Sequence, residues 1–139
     1  MRALVQRVSR AAVHVEGETI ARIGPGLVVL LGVAPTDGEQ TAERLAAKIR
    51  ALRVFADAAG RMNDAVGERE ILCVSQFTLY ADTGAGNRPG FAGAAGPALA
   101  EPLYERVCEL LGAARGRFGA HMQVELTNDG PVTILLEVT

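Results

Sequence analysis

The chain has 139 residues and a mass of 14.6 kDa, which suits one domain over 1–139 and is short for two full cores. With 49% apolar and 22% charged residues it is not a disordered chain, and a net charge of -2 argues against binding nucleic acid chiefly through a basic surplus. Of the 14 basic residues only Lys48 is a lysine, which excludes a P-loop and leaves little for Schiff-base chemistry.

Strand signals open the chain. Val13-His14-Val15-Glu16 alternates, Gly17-Glu18 turns, and Thr19 to Ile23 returns. Gly24-Pro25-Gly26 turns again before a buried strand, Leu27 to Leu31. Thr36 or Asp37 is the expected cap of a helix whose apolar stripe is Ala42, Leu45, Ala46, Ile49 and Leu52. Arg53 to Phe55 reads as a short strand closed by the turn Asp57 to Gly60, and Ile71 to Val74 as a buried strand leading into Ser75-Gln76-Phe77-Thr78-Leu79.

Residues 82–97 read as a glycine-rich loop. A second helix is predicted over about 98–112 with Leu99, Leu103, Val107 and Leu110 inward. Pro102 is awkward inside it, so a start near Glu101 is the alternative. Met122 to Thr127 and Val132 to Val138 read as two strands, with Asn128-Asp129-Gly130-Pro131 turning the chain between them. Consecutive strands with two helices predict an α+β domain: a curved, mainly antiparallel or mixed sheet, or partial barrel, with its helices to one side. An open, apolar sheet of this size predicts an edge or a face buried in a second copy.

The sequence excludes several chemistries. No apolar run approaches the ~18 residues of a membrane span, and Met1 to Arg10 lacks the order of a signal peptide. Cys73 and Cys108 form no CxxC; they read as buried free thiols of a reducing cytoplasm, with a disulfide as the alternative. His14 and His121, both placed in strands, form no zinc motif, so no metal and no cofactor is expected. Ser75, Thr78, Cys73 and Cys108 are candidate nucleophiles, yet Ser75 sits in no G-x-S-x-G elbow.

Three features remain. Gly84 to Pro89 begins like a dinucleotide loop but ends in proline, and is either a surface loop or one whose Arg88 positions a phosphate. Ser75 to Leu79 interrupts an apolar strand where freed N–H groups could converge on an oxyanion, or is simply an exposed strand end. Gly130-Pro131 is a corner whose peptide is either trans or, as in a minority of X-Pro bonds, cis.

At these residues the chain strongly resembles the D-aminoacyl-tRNA deacylase family, over essentially its whole length. The shared segments include Leu4-Val5-Gln6-Arg7-Val8, Gly26 to Gly32, Phe55-Ala56-Asp57 with Gly60, and Met62-Asn63. The specific ones are Ser75 to Leu79, Asn87-Arg88-Pro89, Gly116-Arg117-Phe118 with Met122, and Asn128 to Thr133. The resemblance implies a cytoplasmic homodimer that hydrolyses the ester between a D-amino acid, or misattached glycine, and the terminal adenosine of tRNA. It implies a cis Gly130-Pro131 peptide reaching into the partner's site, where its carbonyls accept from the α-ammonium and exclude an L side chain.

It further implies that Arg7 holds that peptide, and that Ser75, Gln76, Phe77 and Thr78 form the catalytic segment. Amides around Phe77 and Thr78 would polarise the ester, and the ribose 2′-hydroxyl would help activate water. Thr78 Oγ as nucleophile is the sharper alternative. Phe118 and Met122 would line the adenosine side. One departure stands out: Gly90 follows Pro89 where the family has serine. A dimeric module that binds the tRNA end without catalysis, and a small-ester hydrolase using Ser75 or Thr78, are the competing functions.

Overall fold

The computed structural model describes residues 1–139. Its frame is one long antiparallel pair, β1 (Arg2–Val15) against β8 (Gln123–Glu137). The other edge of β1 is shared: its first half pairs with β3 (Gly26–Gly32), its second half with β2 (Glu18–Ile23). From β3 the sheet continues in parallel to β6 (Glu70–Ser75) and then to β7 (Ala114–Arg115). Between β3 and β6 lie α1 (Glu39–Ala51) and a small two-stranded sheet of β4 (Phe55–Ala56) and β5 (Met62–Asp64). The result is the expected α+β architecture: a mixed sheet curling toward a barrel, with two main helices.

Alternation along β1 and β3 divides the apolar side chains between two faces. Ala3, Val5, Leu27, Val29 and Leu31 pack beneath α1 and α2 (Pro97–Leu111) in the larger core. Val8, Val13, Val28, Leu72 and Val74 point the other way, into the hollow of the curl. Each fully buried leucine or valine here contributes about 1.5–3 kcal/mol relative to exposure, so the curl is stabilised by its own interior. Cys73 and Cys108 are free and buried, one on β6 and one on α2.

β1 begins at Arg2, not near Val13; in its first half Ala3, Val5 and Val8 are buried while Arg2, Leu4 and Gln6 are half-buried, and the apolar Leu4 on the outer face obscures the alternation. The first turn is Glu16-Gly17, both at positive φ, as a tight hairpin demands. Neither Thr36 nor Asp37 caps α1. Gly38 does, and the Asp37 carboxylate instead accepts from Ala34 N–H at 2.7 Å and from the Met1 ammonium at 2.9 Å. α1 ends before Leu52, which is its C-cap.

α2 starts at Pro97, so Pro102 lies inside it and not in its first turn. Pro102 is exposed, so water reaches the carbonyl its missing N–H leaves free. The inward stripe is also rotated: Leu99 is 37% exposed and Leu110 half-buried, while Ala100, Leu103, Tyr104, Val107, Cys108 and Leu111 are buried. The Tyr104 hydroxyl donates to Cys73 O at 2.8 Å, which accounts for a tyrosine in that stripe.

The largest correction concerns the last strands. Asn128 to Pro131 does not turn the chain, and the two predicted strands are the single strand β8. Between Gln6 and Val8, β1 advances two residues while β8 advances five, from Thr133 back to Asn128. The surplus forms a bulge carrying Gly130-Pro131, whose peptide is cis. A bulge is where a strand tolerates proline, because no ladder N–H is required there.

Candidate active site

A cleft of about 610 Å³ opens where β6 ends. Its rim comes from Ser75, Gln76 and Phe77, from Phe91 and the residues leading into α2, and from the loop Phe118 to Met122. Its floor is apolar, with Leu31, Val33 and Ala100.

β6 stops because its neighbour does. Ser75 pairs with Leu31, Gln76 N–H makes a last bond to Leu31 O at 2.7 Å, and the chain then tightens into a 3₁₀ turn, Phe77–Tyr80. Inside this turn the bonds begin with Leu79 N–H to Gln76 O at 3.2 Å, followed by Ala81 N–H to Thr78 O at 3.1 Å. The N–H groups of Phe77 and Thr78 come before that ladder and have no partner within the turn. Gly32 lets the turn lie flat on β3: a Cβ there would stand 3.2 Å from Gln76 O and from Tyr80 Cδ2.

The side chains offer no nucleophile–base pair. Gln76 Nε2 donates to Thr78 Oγ1, the hydrogen bond that hydroxyl makes in this structure. His121 is the ionisable residue of the lining, where no aspartate or glutamate occurs. It lies in the loop before β8, not in a strand, whereas His14 sits on β1 with Nδ1 2.9 Å from Thr19 Oγ1. No group of three or more His, Cys, Asp or Glu side chains is assembled that could hold a metal ion.

What the cleft does offer is aromatic and thioether surface. Phe77, 54% exposed, meets the Phe91 ring edge-on at 5.0 Å. Met122 folds its Sδ onto the Gly116-Arg117 backbone, accepting from Arg117 N–H at 3.4 Å, and a Cβ on Gly116 would come within 2.7 Å of that sulfur. Phe118 leans on Tyr104, 6.0 Å between ring centres.

The expected site residues thus fall into two groups. Ser75, Gln76, Phe77, Phe118 and Met122 line the cleft, and Thr78 follows directly in the turn. Arg88 is exposed on the 82–90 loop and is not in the lining; that loop is pinned by paired backbone bonds between Asp82 and Gly90, both 2.8 Å. Arg7, Gly130 and Pro131 form a separate group that does not line the cleft of their own chain. There, Arg7 Nε donates to Asp129 O at 3.0 Å, its Nη1 to Val54 O at 2.6 Å, and the Asp129 carboxylate lies 3.5 Å from Nε. Phe91 and His121 also line the cleft, beyond the residues the sequence motifs mark. The available signal for Phe91 was a lone aromatic directly after Arg88-Pro89-Gly90 in an otherwise small and polar loop.

The cleft thus carries strand-end amides and aromatic rings at its rim and no acid–base pair in its lining. The chain belongs to the D-Tyr-tRNA(Tyr) deacylase family, whose model matches residues 4–137. It is 56% identical to a D-aminoacyl-tRNA deacylase of Symbiobacterium thermophilum, over 99% of this chain and 95% of that one. It is 58% identical to one of Anaeromyxobacter dehalogenans, over 99% and 97%. Among solved structures, a c-Myc DNA unwinding element binding protein superposes with a TM-score of 0.95 at 44% identity, covering 100% of this chain and 99% of that one. A probable eukaryotic D-amino acid tRNA deacylase superposes at 0.85 with 14% identity, over 99% and 98%, and shares the fold. No helix is long and apolar enough to cross a membrane.

Proposed function

We propose that this protein hydrolyses the ester joining a D-amino acid, or glycine, to the 3′-terminal adenosine of tRNA, and spares L-aminoacyl-tRNA. The observation that carries the reading is the N–H pair of Phe77 and Thr78, which has no partner within its turn, at a cleft without a nucleophile–base pair. Preorganised amides stabilise the charge that develops on an ester carbonyl oxygen as water attacks, and removing one such donor typically costs about 10²–10³ in rate. The lining holds a single imidazole, His121, with no carboxylate to pair with it, so the ribose 2′-hydroxyl beside the ester is the group to assist water. Phe118 and Met122 offer the terminal adenine an apolar and thioether surface. Arg88, exposed on the neighbouring loop, is the candidate phosphate contact.

The protein acts as a homodimer in the cytoplasm, where its tRNA substrate is. Gly130 and Pro131 are exposed and absent from their own cleft, so they are free to complete another chain's. An apolar row supports such pairing: Leu4 pairs with Leu30 on one side and Leu135 on the other, and Leu135 is 59% exposed. In the partner's cleft, the carbonyls of Gly130 and Pro131 would accept from the substrate ammonium and leave no volume for an L side chain. Glycine, lacking a side chain, passes the same filter.

The deciding experiment is deacylation of D-tyrosyl-tRNA and L-tyrosyl-tRNA side by side. Rapid loss of the D ester alone is expected; equal loss of both, or of neither, overturns the reading. Binding of the acceptor end without hydrolysis would mark a silent binding module. Turnover of a simple D-amino acid ester lacking the ribose would mark a general esterase.

A further inference from the structure

The turn Phe77–Tyr80 contains no buried residue. Leu79 and Tyr80 are only half-buried, and a segment at the mouth of a cleft with so little apolar anchorage opens easily unless further contacts hold it. Contacts from the strands behind it do so, and one side chain makes two of them. Arg2, the first residue of β1, donates from Nη1 to Leu79 O at 2.9 Å and lays its guanidinium over the Tyr80 ring, 4.5 Å to the centroid. Its Nε is engaged by the carboxylate of Glu137, the last residue of β8, so the guanidinium plane is fixed from the side away from the turn. Leu79 O lies at the C-terminal end of the turn, where carbonyls are unpaired and a cation is favoured.

We propose that Arg2 is a positioning residue for the reaction: with Glu137 it clamps the Phe77–Tyr80 turn from behind and fixes where the Phe77 and Thr78 amides point. It does not line the cleft, so its effect reaches the substrate only through the turn. This rests on the deacylase reading given above. A planar guanidinium meets the three demands at once: one edge to Glu137, one N–H to Leu79 O, one face to Tyr80. A lysine ammonium keeps the charge but cannot hold all three.

The test uses the full chain with Arg2→Leu, Arg2→Lys and Glu137→Gln. Two measurements are made: steady-state deacylation of D-tyrosyl-tRNA, and amide hydrogen exchange resolved by residue. For Arg2→Leu, kcat should fall about 10- to 100-fold with KM within about twofold, since misplacement of roughly 1 Å costs that much. Exchange at Leu79 and Ala81 should quicken at least about tenfold while the N–H groups of β1 and β3 stay protected. Arg2→Lys should restore part of kcat, and Glu137→Gln, which keeps an oxygen acceptor, should lose less than Arg2→Leu.

Unchanged exchange in the turn, or an unchanged kcat, overturns the proposal. So does uniformly faster exchange across the sheet, which would make Arg2 merely a stabilising residue. Should the wild type leave D-tyrosyl-tRNA intact, the deacylase reading falls and this proposal with it. The exchange data then still report whether Arg2 holds the turn, so the two failures are told apart.

Discussion

Arg7 Nη2 lies 2.8 Å from the point a Cβ on Gly130 would occupy, and Val132 Cγ2 lies 2.9 Å from the same point. Gly130 also has φ +131, a region that L side chains rarely adopt. Arg7 is itself held by two carbonyls, so it has little freedom to retreat.

Gly130→Ala is therefore expected to lose about 1–3 kcal/mol of stability, read by urea unfolding. It should lose at least about 100-fold in deacylation of D-tyrosyl-tRNA, because the bulge must shift to admit the methyl. An unchanged preference for D over L in this variant would remove the bulge from the chiral filter. Arg7→Ala should cost about 1–3 kcal/mol through the carbonyl it leaves unpaired at buried Val54, with a larger proportional loss of activity.

Thr78→Ala separates backbone from hydroxyl catalysis. The hydroxyl is bonded to Gln76 Nε2 and makes no hydrogen bond to an imidazole or carboxylate. The variant should keep activity within about tenfold of wild type, the scale of one neutral hydrogen bond. A loss of about 10⁴-fold or more, with fold and tRNA binding intact, would mark Thr78 Oγ as the nucleophile.

Leu135→Asp tests the second subunit. A charge at the exposed Leu135 end of the Leu30, Leu4 and Leu135 row cannot be buried against a copy of itself. Sedimentation should show a monomer, with the fold retained because Leu135 is largely exposed, and with deacylation lost. A fully active monomer would mean that each cleft is complete within its own chain.

The chain has two tyrosines, so phenolate absorbance reads both. Burial, and then the nearby Asp37 charge, pushes Tyr80 up to about 12, while burial raises Tyr104 further. In the folded protein both should titrate above the ordinary value of about 10, to which urea should return them. The neutral form is the one the fold favours, so the stability tied to it is complete below about pH 10. It is lost as the pH climbs from there toward the folded values. A native titration at the ordinary value for both phenols would contradict this.

Much of this protein is readable in one dimension. The alternation of Leu27 to Leu31, the stripe of α1 and the end of an apolar strand at Ser75 are local patterns, set by side-chain periodicity and turn chemistry. The motifs around Ser75, Arg88, Phe118 and Gly130 carry the family in their order alone. Likewise, the scarcity of histidine and lysine already limits the site to chemistry without a histidine dyad or Schiff base. The phase of α2 is not legible in this way, because Leu99 and Leu110 are as apolar as the residues that face the core. That choice depends on Tyr104 reaching Cys73 O, a contact made across 31 residues of chain.

Only the tertiary structure decided the rest. Asn128 to Pro131 has every local mark of a turn, yet it is a bulge within β8, because β1 continues past it on both sides and holds the strand straight. Arg7 meets Asp129 across 122 residues and Arg2 meets Glu137 across 135, and no local pattern announces either pairing. Composition and periodicity determine which elements form, since those are choices among neighbours. Where the turn after Ser75 sits, and what holds it there, depends on strands joined at opposite ends of the chain, since a contact's energy depends on proximity in space.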